Sequence, residues 1–457
     1  MYMNLIKELA PLDRCHSGPE MELAYEKLIS FYPDARIINY CSKQVVDYWT
    51  VPPSWECKKA TLTDDNGNII ASKERHNLEV FSYSPTVNLK ISLEELQSHL
   101  FSDPNRPDAI CFHFRNQYRH WEPTWGFSIP HNVRESLSNN TKYNINIKSS
   151  FDYNKDMIQS DYHHQGQIDD TYLFIGHFDH PSQVNDGLAG CVAAYEIIKR
   201  LKNRKTKYSY RAFASVEIVG SNFYLFNDDK LASDTKEGLF LGFSGINQPF
   251  VYQQSFHKKS KIDRITKFLL SIKYKDDERV YGHRELIGND ENIFDSAGYN
   301  IPTGTLMRWP FKDYHTDKDN FNNTKKSSIE ETIDFSMQII DILENDMLVE
   351  ALYSGIPSLA NPELDLYLSL DAVSGVSGSS KENLNKFECE LREYERTYLK
   401  NNSQHLNQFM QNILRMADGS HTLLDISEKS KIPFNYTAMY VSLLGHKGLI
   451  KLTGIAK

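Results

Sequence analysis

The sequence predicts an α/β protein whose mainly parallel sheet is covered by helices. Three predicted strands support this class: the continuous apolar run at residues 171–176 (TYLFIG), and residues 207–218 (KYSYRAFASVEI) and 238–246 (GLFLGFSGI). Continuous apolar runs are typical of strands that are buried on both faces, as in a parallel sheet. Helical patterns alternate with these runs, and such alternation favours parallel strands with helices on the faces of the sheet. A further strand is predicted at residues 300–309.

Amphipathic segments between the strands are predicted to be helices. Ser17 and Glu20 form a capping-box pattern at the start of residues 17–31, and Asp186 is a candidate N-cap for residues 186–204. The apolar residues of these segments and of a last helix recur at helical spacing. They are Met21, Tyr25, Leu28, Leu188, Val192, Tyr195, Ile198, Leu201, Ile329, Ile333, Ile340 and Leu343.

Two regions depart from the α/β pattern. Residues 54–130 are rich in β-forming residues and contain the hairpin signal Asn66-Gly67, so we expect a small inserted β-domain there. The main α/β domain then comprises residues 1–53 and 131–360.

The C-terminal region is predicted to be a separate helical domain at residues 381–457. It follows a Gly/Ser-rich linker at residues 372–380 (AVSGVSGSS). A short helix, a turn, a second helix and a hairpin-like end at Gly448 occur in the order that is typical of a winged helix-turn-helix.

Composition limits the classes of function. The chain has 457 residues and a net charge of -9, which does not favour nucleic acid as the partner of the whole chain. No apolar run approaches the roughly 18 residues of a membrane-spanning helix. The N-terminal residues lack the features of a signal peptide, and the six cysteines form no CxxC pair. We therefore expect a cytoplasmic protein with no membrane partner.

Metal-competent side chains follow the ends of the predicted strands. In a parallel sheet these ends meet at one edge, where ligands bind. The candidates are His177, Asp179, Asp186, Glu217, Asp290, Glu291 and His315. Imidazole and carboxylate groups are suitable zinc ligands, and zinc lowers the pKa of water enough for amide hydrolysis at neutral pH. A further carboxylate can take a proton from the metal-bound water and pass it to the leaving amine.

Several segments, in this order, resemble a known family. They are VPPSWECKKATLTDDNGNII, YSPTVN, PDAICFHFRNQYRHWEPTWGF, HPSQVND, NDE and YHTDKDN. The chain resembles bacterial aminopeptidase-like proteins of the zinc exopeptidase superfamily, which carry an inserted β-domain and a C-terminal winged helix. The likeness covers residues 20–350 and returns near 420–455, and it implies a zinc-exopeptidase-like fold.

The resemblance also implies roles for the strand-end residues. His177, Asp186 and His315 would be metal ligands, with Asp186 bridging if two ions bind. Asp179 would orient the imidazole of His177, and Glu217 would be the general base. Aminopeptidases of this type have two adjacent glutamates at the position of Glu217 and a further aspartate ligand on the next strand. This chain has neither, so we expect one zinc ion, with two still possible.

Other charged residues are candidates for substrate binding. Asp290 and Glu291 would either supply a further carboxylate ligand or bind a substrate amino group. Arg284 and Arg308 would pair with a substrate carboxylate. Structural roles are open for Asp186 as a helix N-cap and for Glu217 as a packed side chain.

Two functions remain open at this stage. The first is a zinc-dependent, aminopeptidase-like hydrolase acting on a small peptide or an amide-containing small molecule. The second is a degenerate peptidase fold that senses a ligand and regulates through its winged helix. Residues 435–446, the would-be recognition helix, contain no Lys or Arg, so DNA binding is not expected. A protein-interaction or dimerisation role is favoured for this module instead, and a homo-oligomer would form through the β-domain or the winged helix.

Overall fold

The computed structural model describes residues 1–274, 279–368, 390–402 and 404–454. The chain divides into two units. The first unit comprises Met1–Ser260 and Tyr281–Ser336, and the second comprises Lys261–Val280 and Met337–Lys457. The predicted linker at 372–380 lies outside the described residues.

The described residues contain fifteen α-helices and three short 3₁₀ helices. The α-helices are α1 (Tyr2–Leu9), α2 (Pro19–Phe31), α3 (Leu93–Leu96), α4 (Arg115–Tyr118), α5 (His131–Glu135), α6 (Leu188–Leu201), α7 (Val219–Phe226), α8 (Asp229–Asp234), α9 (Lys261–Tyr274), α10 (Glu291–Phe294), α11 (Lys326–Asn345), α12 (Glu393–Asn401), α13 (His405–Met416), α14 (Leu423–Ser430) and α15 (Phe434–His446). The 3₁₀ helices are Asn77–Glu79, Gln97–His99 and Phe321–Asn323.

Nineteen strands lie in the same part of the chain. They are β1 (Arg36–Tyr40), β2 (Val45–Val46), β3 (Trp49–Thr50), β4 (Ser54–Asp64), β5 (Ile69–Ser72), β6 (Val87–Ile91), β7 (Leu100–Phe101), β8 (Phe127–Ser128), β9 (Tyr143–Asp152), β10 (Met157–His164), β11 (Thr171–His177), β12 (Ser209–Ser215), β13 (Thr235–Gly242), β14 (Phe250–Gln253), β15 (Val280–Tyr281), β16 (Thr303–Arg308), β17 (Met347–Ala351), β18 (Asp418–Thr422) and β19 (Ile450–Gly454).

The main sheet has eight strands in the order β1-β10-β12-β11-β13-β16-β14-β15. The four central strands, β12, β11, β13 and β16, are parallel, whereas β1, β10 and β14 pair antiparallel. All seven residues of β11 are buried, as the apolar run predicted. The predicted α/β class is therefore confirmed, with antiparallel strands added on both sides of a parallel centre.

The predicted apolar stripes of the helices are confirmed, but two predicted N-caps are wrong. Helix α2 begins at Pro19 with Gly18 as its N-cap, because proline suits the first helical position. Gly187 is the N-cap of α6, and the side chain of Asp186 makes no capping hydrogen bond. The residues of the stripes are buried on α2, α6 and α11.

A second sheet of four strands has the order β5-β4-β9-β6. Gly67, in the turn between β4 and β5, has a φ of 85°, which agrees with the predicted Asn-Gly hairpin. Strand β9 pairs along the whole of β4 and lies beyond residue 130. The predicted boundaries of the inserted β-domain stay predictions.

The second unit contains the predicted helix-turn-helix. A short turn at residues 431–433 joins helices α14 and α15, and Lys431 in this turn has a φ of 52°. Strand β17 pairs antiparallel with both β18 and β19, which gives the three-stranded sheet of the wing.

Within the described residues, no helix has both the length and the apolar character needed to cross a membrane. The cytoplasmic location expected from the sequence stays a prediction.

Asp161 of β10 is a buried carboxylate whose neighbours stabilise its charge. Arg36 donates to it through Nε at 2.7 Å and Nη2 at 3.1 Å, and Arg211 and Tyr224 also donate. Burial alone would raise the pKa of Asp161, but the hydrogen bond from Arg36 and the charge of Arg211 lower it below its usual value.

We expect Asp161→Asn to destabilise the protein by about 3–5 kcal/mol, because the substitution leaves Arg211, whose side chain is only 13% exposed, without its anion. Asp169→Asn is the control, since Asp169 pairs with Lys230 on the surface and such pairs contribute little. Denaturant unfolding at neutral pH measures both. The loss of stability caused by Asp161→Asn should decrease as the pH falls through the folded-state pKa of Asp161, because protonation removes the charge of Asp161 in the parent protein. Equal stability of the two variants at neutral pH would contradict this account.

Candidate metal centre

The carboxyl ends of the central parallel strands bring three distant segments together. His177, the last residue of β11, lies opposite Ser215 at the end of β12. The loop after β11 carries Asp186, the loop after β12 carries Glu217, and the segment after β16 carries His315. The strand-end rule therefore gathers the predicted metal residues at one edge of the sheet.

A buried carboxylate, Asp186, lies at the centre of this site. Its Oδ1 is 3.1 Å from His177 Nε2, and its Oδ2 is 3.0 Å from His315 Nε2. His180 Nε2 lies 3.9 Å from the same Oδ2. His177, His180 and Asp186 each offer a ligand atom within 4.8 Å of the others. We call these residues, together with His315, the histidine cluster.

The chemistry of the cluster fits a zinc ion. His177 Nδ1 and His180 Nδ1 are buried and make no hydrogen bond, which is costly unless another partner is bound. Burial lowers the pKa of His180, so its imidazole is neutral and free to coordinate. Burial disfavours a charge on His177 too, but its hydrogen bond with Asp186 raises its pKa to about 10. Zinc would displace that proton.

Asp179 lies beneath the cluster and connects three of its neighbours. Its Oδ2 is 3.2 Å from His16 Nε2 and 3.6 Å from His180 Nδ1, and its Oδ1 accepts a hydrogen bond from the backbone N–H of Glu217 at 3.1 Å. Both Asp179 and His16 are buried. Asp179 therefore positions His180 and the Glu217 loop. The orienting role that the sequence predicted for Asp179 was directed at His177, and it stays a prediction.

Glu217 faces the cluster from the loop after β12. Its Oε1 is 3.8 Å from His177 Nδ1, its Oε2 is 3.7 Å from His180 Nε2, and the hydroxyl of Tyr118 donates to the same Oε2. Burial, together with the charge of Asp179, raises the pKa of Glu217 to about 8, although the charge of His177 opposes this. Such a carboxyl can take up and release a proton near neutral pH.

Buried polar side chains fix the loop after β11 from two sides. Asp319 accepts hydrogen bonds from the backbone N–H of Asn185 at 2.7 Å and of Asp186 at 2.8 Å. Arg14, which is fully buried, donates to the carbonyl groups of Phe178 and His180. The position of the metal-competent groups therefore depends on Asp319 and Arg14, which lie outside the histidine cluster.

Strained backbone marks the same loops. His180, Ile218 and His315 have φ values of 81°, 60° and 56°, which side chains rarely adopt. Gly187 has a φ of 106°, and a Cβ there would lie 2.1 Å from the imidazole of His177. Strain of this kind is concentrated at functional sites, because the surrounding contacts must hold it in place.

Asp290 holds the Glu217 loop. It accepts hydrogen bonds from the hydroxyls of Ser215 and Ser221 and from the backbone N–H of Ile218, at 2.6–2.8 Å. These contacts occupy both carboxylate oxygens and give Asp290 a structural role. The predicted part of Asp290 in substrate or metal binding gains no support from them.

The remaining predicted substrate residues also have partners within the fold. Glu291 accepts from the backbone N–H of Asn289, and burial raises its pKa to about 7. Arg284 Nε lies 3.9 Å from Glu291. Arg308 is buried and donates to the carbonyls of Gln248 and Ser328 and to Glu331. Their assignment to a substrate stays a prediction, and the contacts of Arg308 favour a structural role.

Three residues of the site were not predicted from the sequence. His180 lies inside the motif HPSQVND, and its spacing from Asp186 was the available signal. His16 and Tyr118 lie far from the strand ends in the sequence. Only the packing of α4 and of the segment before α2 against the main sheet brings them to Asp179 and Glu217.

Comparison with known proteins identifies the family. A family model described as a domain of unknown function, DUF4910, matches residues 3–346. The chain belongs to this family. A winged helix-turn-helix model matches residues 394–452 of the DUF4910 protein, which confirms the predicted C-terminal fold.

Relatives and solved structures support the same fold. A Clostridium acetobutylicum protein is 28% identical over 455 residues, covering 98% of this chain and 95% of the relative. Its provisional name is polysaccharide biosynthesis protein with aminopeptidase-like domain. A crystal structure from the same organism, provisionally described as a peptidase, has a TM-score of 0.80 at 26% identity and covers 99% of this chain and 96% of its own.

A zinc aminopeptidase from Bacillus subtilis, BSAP, has a TM-score of 0.52 at 12% identity. The match covers 74% of this chain and 93% of the Bacillus chain. It shows the exopeptidase fold, and it confirms the resemblance from the sequence at the level of the fold.

We expect His180→Ala to weaken zinc binding by at least about tenfold, because removing a ligand or a residue that orients one has at least this effect. Competition with a chromophoric chelator measures the dissociation constant. His446→Ala is the control, since His446 is exposed on α15 and lies outside the cluster. The same dissociation constant for both variants would show that His180 does not contribute to the metal site.

Proposed function

We propose that this protein is a zinc-dependent hydrolase of a terminal peptide or amide bond. The observation that carries the proposal is the histidine cluster, with Glu217 at 3.7–3.8 Å from two of its imidazoles. His177, Asp186 and either His180 or His315 would hold one zinc ion, and the second oxygen of Asp186 leaves room for a two-ion arrangement. When bound, zinc supplies the Lewis acidity that lowers the pKa of water.

The residues around the cluster divide the remaining work. Glu217 would take a proton at its carboxylate and pass it to the leaving amine, for which a pKa of about 8 is suitable. The hydroxyl of Tyr118 holds Oε2 of this carboxylate. Asp179 keeps the Glu217 loop and His180 in place through its two oxygens.

The substrate that we propose is a small molecule that carries an amide, rather than a long peptide. The relative from Clostridium acetobutylicum has a name that refers to polysaccharide biosynthesis, and amides are common on amino sugars and their acyl groups. The proposed setting is the cytoplasm, where such precursors are assembled.

We expect Glu217→Gln to retain the fold and the zinc but to lose activity by about 10²–10⁴-fold, the usual effect of removing a general base. The amide preserves the shape of the side chain and can accept the hydrogen bond from Tyr118. Turnover of a panel of aminoacyl and acetylated amino-sugar substrates, zinc content and melting temperature should be measured on one preparation.

The three readouts separate the possible roles of Glu217. Loss of zinc in Glu217→Gln would identify it as a ligand, and a lower melting temperature with unchanged turnover would identify a packing role. Glu285→Gln is the control, because Glu285 lies on the surface near Gly282. Normal turnover with normal zinc content in Glu217→Gln would reject the catalytic assignment.

The winged helix suggests the alternative function of a DNA-binding regulator. Helix α15 occupies the position of a recognition helix, yet it contains no Lys or Arg. Six of its residues are buried: Phe434, Tyr436, Thr437, Tyr440, Val441 and Leu444. We propose instead that this module contacts protein, either a partner or a second copy of the chain.

We expect selection from random DNA duplexes at physiological salt to recover no sequence motif, because phosphate contacts depend on Lys and Arg. A winged-helix protein with a known operator serves as the positive control for the selection. A recovered motif whose affinity falls steeply with salt would favour the regulator over this proposal.

A further inference from the structure

An aromatic cavity lies apart from the residues of the histidine cluster. It has a volume of about 320 Å³, which is in the range of small-molecule sites. Tyr48, Trp121 and Tyr153 line it, and 97%, 62% and 53% of their respective surfaces are exposed. These aromatic side chains are exposed around one cavity, so they do not contribute to a buried core, and exposed apolar groups of this kind often mark binding sites.

The backbone at Tyr48 has a conformation that side chains rarely adopt. Strands β2 and β3 are joined by a two-residue turn, Asp47-Tyr48, in which both residues have positive φ, 45° and 67°. Turns of this kind favour glycine at the second position, because a side chain is strained there. The chain places an almost fully exposed tyrosine at that position.

Other contacts hold the aromatic rings in a common frame. The imidazole of His120 packs edge-on against Trp121 with ring centroids 5.3 Å apart, and its Nε2 lies 3.4 Å from the carbonyl oxygen of Thr50. The hydroxyl of Ser42 donates to the carbonyl of Tyr153. Hydrogen bonds therefore connect Thr50 of β3 to His120, the neighbour of Trp121, and Ser42 to Tyr153.

Polar groups complete the wall of the cavity. Ser42, Lys43, Thr50 and His120 line it together with the three aromatic rings. A saccharide ring has one apolar face of C–H bonds and a rim of hydroxyl groups. The C–H face packs against aromatic rings, and the hydroxyls bond to polar groups at the wall, so the lining suits both parts of a sugar.

We propose that this cavity is a binding site for a saccharide ring, with Tyr48, Trp121 and Tyr153 as its stacking surfaces. Trp121 follows Tyr118 by three residues, so their Cα atoms lie at most about 11 Å apart. Tyr118 contacts Glu217. If the proposed hydrolase activity holds, a sugar in this cavity makes the substrate a glycan that carries the amide. Binding of the sugar itself does not depend on that activity.

The test uses the full-length protein on a bacterial glycan array, followed by calorimetry with the glycans that bind. We expect saturable binding that Trp121→Ala weakens by at least about tenfold. Phe256→Ala is the matched control, because Phe256 is 60% exposed and lies outside the cavity. Glu217→Gln should bind as the parent does, which separates this proposal from the proposed hydrolase function.

Tyr48→Gly gives a second, independent readout. Glycine relieves the strain at φ 67°, so we expect an unchanged or higher melting temperature together with weaker glycan binding. Three outcomes would overturn the proposal: no glycan bound on the array, full binding by both Tyr48→Gly and Trp121→Ala, or a dimer of the parent protein that Trp121→Ala dissociates. The last outcome would make the aromatic surface an interface between two copies.

Discussion

One buried carboxylate, Asp186, sets the main constraint on this site. A charge without access to water is costly unless opposite charges or ligands surround it. Burial alone would raise the pKa of Asp186, but the neighbouring imidazoles of His180, His177 and His315 hold it well below its usual range. The loops that carry these histidines are thus bound to one another through a single side chain. A bound metal ion would also neutralise the charge of this carboxylate.

The support for these loops comes from groups outside the cluster. Asp319 fixes the backbone of Asp186, Asp290 fixes the loop of Glu217, and Arg14 binds the carbonyls that precede His180. These interactions stabilise backbone conformations that are unfavourable by themselves, such as the positive φ of His180 and Ile218. The geometry of the site therefore depends on contacts along the whole edge of the sheet, and the parallel central strands position the loops that make these contacts.

The sequence predicts the parts of this arrangement that depend on local pattern. Buried strands appear as apolar runs, and the strand-end rule brought His177, Asp186, Glu217 and His315 together before any coordinates. The N-cap predicted for Asp186 was wrong because local capping preference cannot reveal that a side chain is held by a distant histidine. His16 and Tyr118 reach the site only through tertiary packing, so no spacing in the sequence could indicate them.

The central claim is that the histidine cluster binds zinc. The most direct measurement is anomalous diffraction at the zinc edge from crystals of the zinc-loaded protein. The account predicts a peak in contact with His177 and Asp186 and with His180 or His315 as a further ligand. No anomalous peak at the cluster in fully loaded protein, or a peak held by residues elsewhere in the chain, would contradict it.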